Sequence, residues 1–140
     1  MGLDMFLRDK TKGTLIQWRK ANQIRQWFVD HIDEFNYEDN LGHYEVSKEL
    51  LEELVDDIDF VLAGGSETVV RAEERIPTSS GFFFGDTEYN KDYFLELKLT
   101  RNEVKAILAN WNDEMEVYYT EWWWFLKAKS NKNFEIKKFL

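Results

Sequence analysis

The chain has no cysteine and a single proline, Pro77, among its 140 residues. Without cysteine it has no disulfide framework and no thiolate metal site, which suits a reducing compartment. Histidine is nearly as scarce, with only His31 and His43 present. A metallohydrolase centre needs clustered His and carboxylate ligands, so neither a metal nor any other cofactor is expected. No apolar run approaches the length of a membrane span, and Asp4, Arg8 and Asp9 interrupt the order of a signal peptide. The expected location is the cytoplasm, with no membrane partner.

What is present is a globular composition: 44% hydrophobic and 16% aromatic residues, enough for one core in one domain spanning 1–140. The formal charge of −9 is unevenly spread. Residues 30–59 hold twelve acids against Lys48 alone, while residues 122–140 hold five lysines against Glu135. An acidic middle repels nucleic acid, which is therefore not expected as a partner. The acids read either as a solvated helix face or as a mimic of nucleic-acid charge.

The patterning predicts an α+β fold: a small antiparallel sheet with about three helices packed on one face and a C-terminal aromatic strand or hairpin. GLDMFLRD alternates like a strand, 9–13 turns, and TLIQW re-enters as a second strand. Ala21, Ile24, Trp27, Phe28, Ile32 and Phe35 then recur at helical spacing. Residues 36–46 read as a polar loop. Ser47 caps a helix striped by Leu50, Leu51, Leu54, Val55, Ile58 and Leu62, with Glu49, Glu52, Glu53, Asp56, Asp57 and Asp59 facing outward and Gly64 and Gly65 ending it in left-handed backbone. Residues 66–77 fit a helix or a strand. A third helix of about 22 residues is expected from a cap at Asp86 or Thr87. EVYYTEWWWFLKAKS reads as a strand, SNKN as a turn and FEIKKFL as a last strand.

Five stretches carry a resemblance: MGLDMFL at the start, WRKANQIRQWF at 18–28, YEVSKELLEEL at 44–54, IPTSSGFFFGDTEYNKDYF at 76–94 and VYYTEW at 117–122. In their order and spacing the chain resembles a group of small proteins encoded by bacteriophages and prophages. The resemblance covers most of residues 1–122, and residues 123–140 read as this chain's own elaboration. It implies a phage accessory protein that interferes with a bacterial defence or regulatory system in the host cytoplasm.

No nucleophile elbow, P-loop or dinucleotide fingerprint is present, and no spacing ties a serine to a histidine. The reading therefore leans to binding rather than catalysis. An enzyme acting on a nucleotide or nucleic acid is the alternative, and a structural virion component a further one. In WRKAN, the cations Arg19 and Lys20 stand where a helix begins, against the preference of its dipole. With Trp18 and Asn22 they are candidates for holding an anionic, nucleotide-like ligand; otherwise Arg19 pairs an acid such as Asp4 and Trp18 fills the core. SSGFFFGDTEY adds Thr78, Gly81, Phe83, Gly85 and Tyr89, either as the wall of a pocket that stacks a flat ligand or as core plus helix cap. Trp122, Trp123, Trp124 and Phe125 either lie under a C-terminal hairpin or meet a host protein or a second copy of the chain.

Overall fold

The computed structural model describes residues 2–33, 35, 42–80, 86–128 and 134–138, and side chains up to Trp122. Strands β1 (Gly2–Asp9) and β2 (Gly13–Arg19) form a hairpin, followed by helix α1 (Asn22–His31) and the short strand β3 (His43–Glu45). Helices α2 (Lys48–Leu62), α3 (Thr68–Arg75) and α4 (Lys91–Ala109) come next, then β4 (Val117–Ala128) and β5 (Phe134–Lys138). All strand pairs are antiparallel, in the order β2-β1-β4-β3, with β5 paired to the far end of β4. The fold is α+β, and the C-terminal aromatic strand is one arm of a pair with β5.

Alternation in β1 decides which face is covered. Leu3, Met5 and Leu7 are buried, while Asp4, Phe6 and Arg8 are only half-buried on the other face. The covered face meets Ile24, Trp27 and Phe28 of α1 and Leu51, Leu54 and Ile58 of α2 in one core. Phe28 stacks on Tyr119 of β4 with centroids 4.4 Å apart. α2 packs against both α3 and α4. Trp18 ties β2 to α4 by donating its indole N–H to Thr100 Oγ1 at 2.9 Å. Among the described residues no helix is long and apolar enough to cross a membrane.

Several expectations are corrected. The stretch read as a loop over 36–46 contains β3, whose three residues pair with Tyr118–Thr120 at the edge of β4; a pairing that short is set by its partner rather than by its own pattern. α1 ends at His31, because Ile32 turns extended (φ −86°, ψ 121°). Asp57 does not look outward: it is 8% exposed and accepts a hydrogen bond from Trp27 Nε1 at 2.9 Å. Gly64 is not left-handed (φ −72°), and only Gly65 is, at φ 56°. Gly64 is required for room, since a Cβ there would stand 2.9 Å from the Thr68 nitrogen. Residues 66–77, open between two readings, form a 3-10 turn at Gly65–Glu67 and then α3.

α4 has 19 residues and is capped by Asn90, whose side chain accepts from the Tyr93 N–H. The expected caps are engaged otherwise. Asp86 Oδ1 accepts from the Glu88 N–H in a local turn, and the Thr87 carbonyl accepts from Thr78 Oγ1.

Candidate functional site

The junction of β2 and α1 is built around an unusual backbone. Lys20 has φ 57°, the only positive φ at a non-glycine among the described residues. Its N–H donates to the Leu3 carbonyl and its own carbonyl accepts from the Asn22 N–H, which folds the chain sharply from strand into helix. A lysine in this conformation is strained, and such strain gathers at binding and switch positions.

Asn22 then joins two separate parts of the chain. Its Nδ2 donates to the Asp86 carbonyl at 2.9 Å, and its Oδ1 accepts from the Ser79 N–H at 2.9 Å. One buried amide thus fixes both flanks of the 81–85 segment against the start of α1. WRKAN and the segment around Thr78 lie close in space, as a shared site requires.

Between them is a cleft of about 250 Å³. Arg19, Lys20 and Asn22 form one wall and Thr78 another, and the remaining polar lining comes from Gln23, Asp86, Glu88, Asn90, Asp92 and Glu96. Arg19 is 72% exposed at its side chain and pairs with Asp4 at 3.2 Å, so the guanidinium sits at the mouth rather than in the interior. Four carboxylates face two cations. Burial holds the Glu96 carboxyl above its ordinary range, reinforced by the charge of Glu103. Burial likewise raises the Tyr93 hydroxyl, which donates to the Ile76 carbonyl at 2.6 Å.

The expected site residues divide accordingly. Arg19, Lys20, Asn22 and Thr78 come together at the cleft. Trp18 is 4% exposed and belongs to the core. Tyr89 fastens the segment from behind, accepting from the Thr78 N–H at 3.2 Å and meeting Tyr93 edge-on. Gly81, Phe83 and Gly85 lie outside the described residues. Sequence reasoning missed Asp92 and Glu96, whose i,i+4 spacing on α4 was the available signal.

A second surface is the helix-free side of the sheet. A groove of about 330 Å³ there is lined by Phe6, Arg8, His43, Tyr118 and Trp122, together with Thr120 and Glu121. The Arg8 guanidinium lies over the Phe6 ring at 4.7 Å, and His43 stacks on Tyr118 at 4.8 Å. Arg8 Nε is buried with no hydrogen-bond partner among the described residues. Trp122 pairs with Asp4 in the β1–β4 register and is half-buried. The side chains of Trp123, Trp124 and Phe125 lie outside the described residues; their backbone extends β4, with Trp123 opposite Leu3 and Trp124 opposite Gly2.

Among the described residues one group of three side chains has the atoms to hold a metal ion: His31, Glu53 and Asp57, at the far end of α1 from the cleft. No known protein family, curated protein or solved structure matches the chain.

Proposed function

We propose that the chain is a phage-encoded, non-enzymatic binding protein that acts in the host bacterial cytoplasm by inhibiting a defence or regulatory system. The phage origin rests on the five sequence stretches from MGLDMFL to VYYTEW. Of the two modes of action, occlusion of a host protein is better supported than capture of a nucleotide-like signal. The observation that carries this choice is the charge of the cleft: a free nucleotide drawn to Arg19 and Lys20 would be repelled by Asp86, Glu88, Asp92 and Glu96. A host segment bearing arginine or lysine suits those carboxylates. The groove on the helix-free face, with Phe6, Arg8, Tyr118 and Trp122, offers such a protein aromatic contacts.

One feature favours nucleotide capture as a second reading: the strained Lys20 beside an exposed Arg19 is a place where a phosphate would be met first. Affinity purification from infected cells separates the modes. The leading reading expects a host protein retained by the wild type and lost from both an Asp92→Lys/Glu96→Lys variant and a Trp123→Ser/Trp124→Ser variant. Recovery of a bound nucleotide by native mass spectrometry, with no host protein, would replace it by the second. Arg19→Ala then decides the role of that residue. The pair has an exposed Arg19 against an Asp4 only 14% exposed at its side chain, so its loss should cost about 1 kcal/mol of stability while nucleotide affinity falls about tenfold.

A further inference from the structure

We propose that His31, Glu53 and Asp57 bind a divalent transition-metal ion, of which zinc fits the ligands best. The tautomer of the histidine is set by its neighbour on α1. His31 Nδ1 lies 2.7 Å from the Trp27 carbonyl oxygen, and a carbonyl only accepts, so Nδ1 carries a proton and donates it. The ring is further fixed by stacking on Trp27, with centroids 4.0 Å apart and planes 13° from parallel. Nε2 is therefore aimed at Glu53 Oε1, 3.7 Å away, and at Asp57 Oδ2, 4.0 Å away.

A neutral imidazole would turn its lone pair on two carboxylates, which is repulsive unless a cation stands between them. A proton on Nε2 would answer the same repulsion, although neither distance is yet that of an N–H···O bond, which spans about 2.7–3.2 Å, and uptake of metal by the stripped protein separates the two. A metal ion spans longer gaps. With bonds of about 2.0–2.2 Å, two ligand atoms on a tetrahedral zinc stand about 3.3–3.5 Å apart, so the two histidine gaps need to close only slightly, while the two carboxylates, within 4.8 Å of each other, must draw together further. Glu53 can supply that movement, since its side chain is 56% exposed. Glu53 and Asp57 are one turn apart on α2, which places both carboxylates on the face toward α1.

The surroundings resemble the outer shell of a metal centre. The His31 N–H bonded to a carbonyl is the usual orienting contact for a ligating histidine. Asp57 is held at both oxygens, by Trp27 Nε1 at Oδ2 and by Arg75 at Oδ1, 3.1 Å away. The charge of Arg75 weakens cation binding and sets this site below a structural zinc in affinity. A cleft of about 650 Å³ whose lining includes His31, Asp33, His43, Glu45 and Ser47 leads to the ring, leaving room for water to complete the coordination. His31 and the two carboxylates stand on different helices, far apart in sequence, which hides them from any spacing motif.

The test uses the full chain stripped with EDTA and titrated with Zn²⁺ and, separately, Mn²⁺ by calorimetry. One Zn²⁺ per chain is expected, with a rise in melting temperature and weaker Mn²⁺ binding. Glu53→Gln and His31→Ala should each weaken Zn²⁺ binding by about 10–100-fold or more, whereas Glu114→Gln, exposed and remote from α1 and α2 in the sequence, should leave it unchanged. Cobalt taken up by the stripped protein should show visible absorption that Glu53→Gln abolishes. Glu53 is exposed, so that variant remains informative if His31→Ala unfolds. No uptake by the folded wild type, or uptake that Glu53→Gln leaves intact, overturns the proposal.

Discussion

Arg25 and Glu121 place a full ion pair inside the core, 7% and 2% exposed. Arg25 Nε reaches both Glu121 oxygens at 3.0 Å, and the Tyr119 hydroxyl donates to Oε1 at 2.7 Å. Burial and the neighbouring carboxylate push the Tyr119 hydroxyl well above its ordinary pKa, so it stays a donor throughout the working range. Arg25→Met strands the Glu121 carboxylate and should cost about 3–5 kcal/mol in urea melts, most of it recovered in Arg25→Met/Glu121→Leu. Recovery in the double variant would show that the penalty is the unpaired charge and not lost packing. Asp9 is a second buried acid with a pH signature. The N–H groups of Lys12, Glu116 and Thr11 bond its carboxylate and hold its pKa below the ordinary value. A depressed folded pKa stabilises above the unfolded value of 3.8 and loses that effect as pH falls through the folded one. The melting temperature of the wild type should therefore exceed that of Asp9→Asn by a constant margin near neutrality, and the margin should shrink below about pH 4.

At the scale of elements, two side chains set where helices begin. Ser47 and Asn90 accept from the N–H groups of Leu50 and Tyr93, and alanine at either position should cost about 1 kcal/mol in stability. Thr87→Ala should cost little by comparison, since the contact Thr87 makes with Thr78 is through its carbonyl. These caps also show how far the sequence could be read. Ser47 was legible because it immediately precedes an unbroken apolar stripe. Asn90 was not, because Asp86 and Thr87 are equally good cap residues, and only the bond from the Tyr93 N–H to Asn90 Oδ1 decides between them. β1, β2 and α2 could be read from local periodicity, and β4 from its aromatic and β-branched composition. β3 and the burial of Asp57 could not, since both depend on partners distant in sequence. The cleft was half legible: Arg19, Lys20, Asn22 and Thr78 stood out as motifs, whereas Asp92 and Glu96 looked like any solvated pair on a helix.

For the whole molecule, the charge of −9 acts as self-repulsion. Glu49, Glu52, Glu53 and Asp56 are exposed along α2, and only some of the acids nearby are paired, as Asp59 is with Arg101. Raising NaCl from near zero to about 0.2 M shortens the screening length and should raise the melting temperature. A fall would mean that the ion pairs outweigh the repulsion. Sheet order carries a different consequence. β1 lies between β2 and β4, with Gly2 opposite Trp124 and Asp9 opposite Val117. On the ribosome, β1 and β2 emerge together and can close their hairpin at once. The other edge of β1 must stay bare while α1 to α4 are made, with Leu3, Met5 and Leu7 facing an unfinished core. Closure over so long a loop is slow, and an unpaired central strand invites the wrong neighbour. Nascent chains stalled before Val117 should therefore depend on chaperones, and that dependence should end once β4 is free to pair.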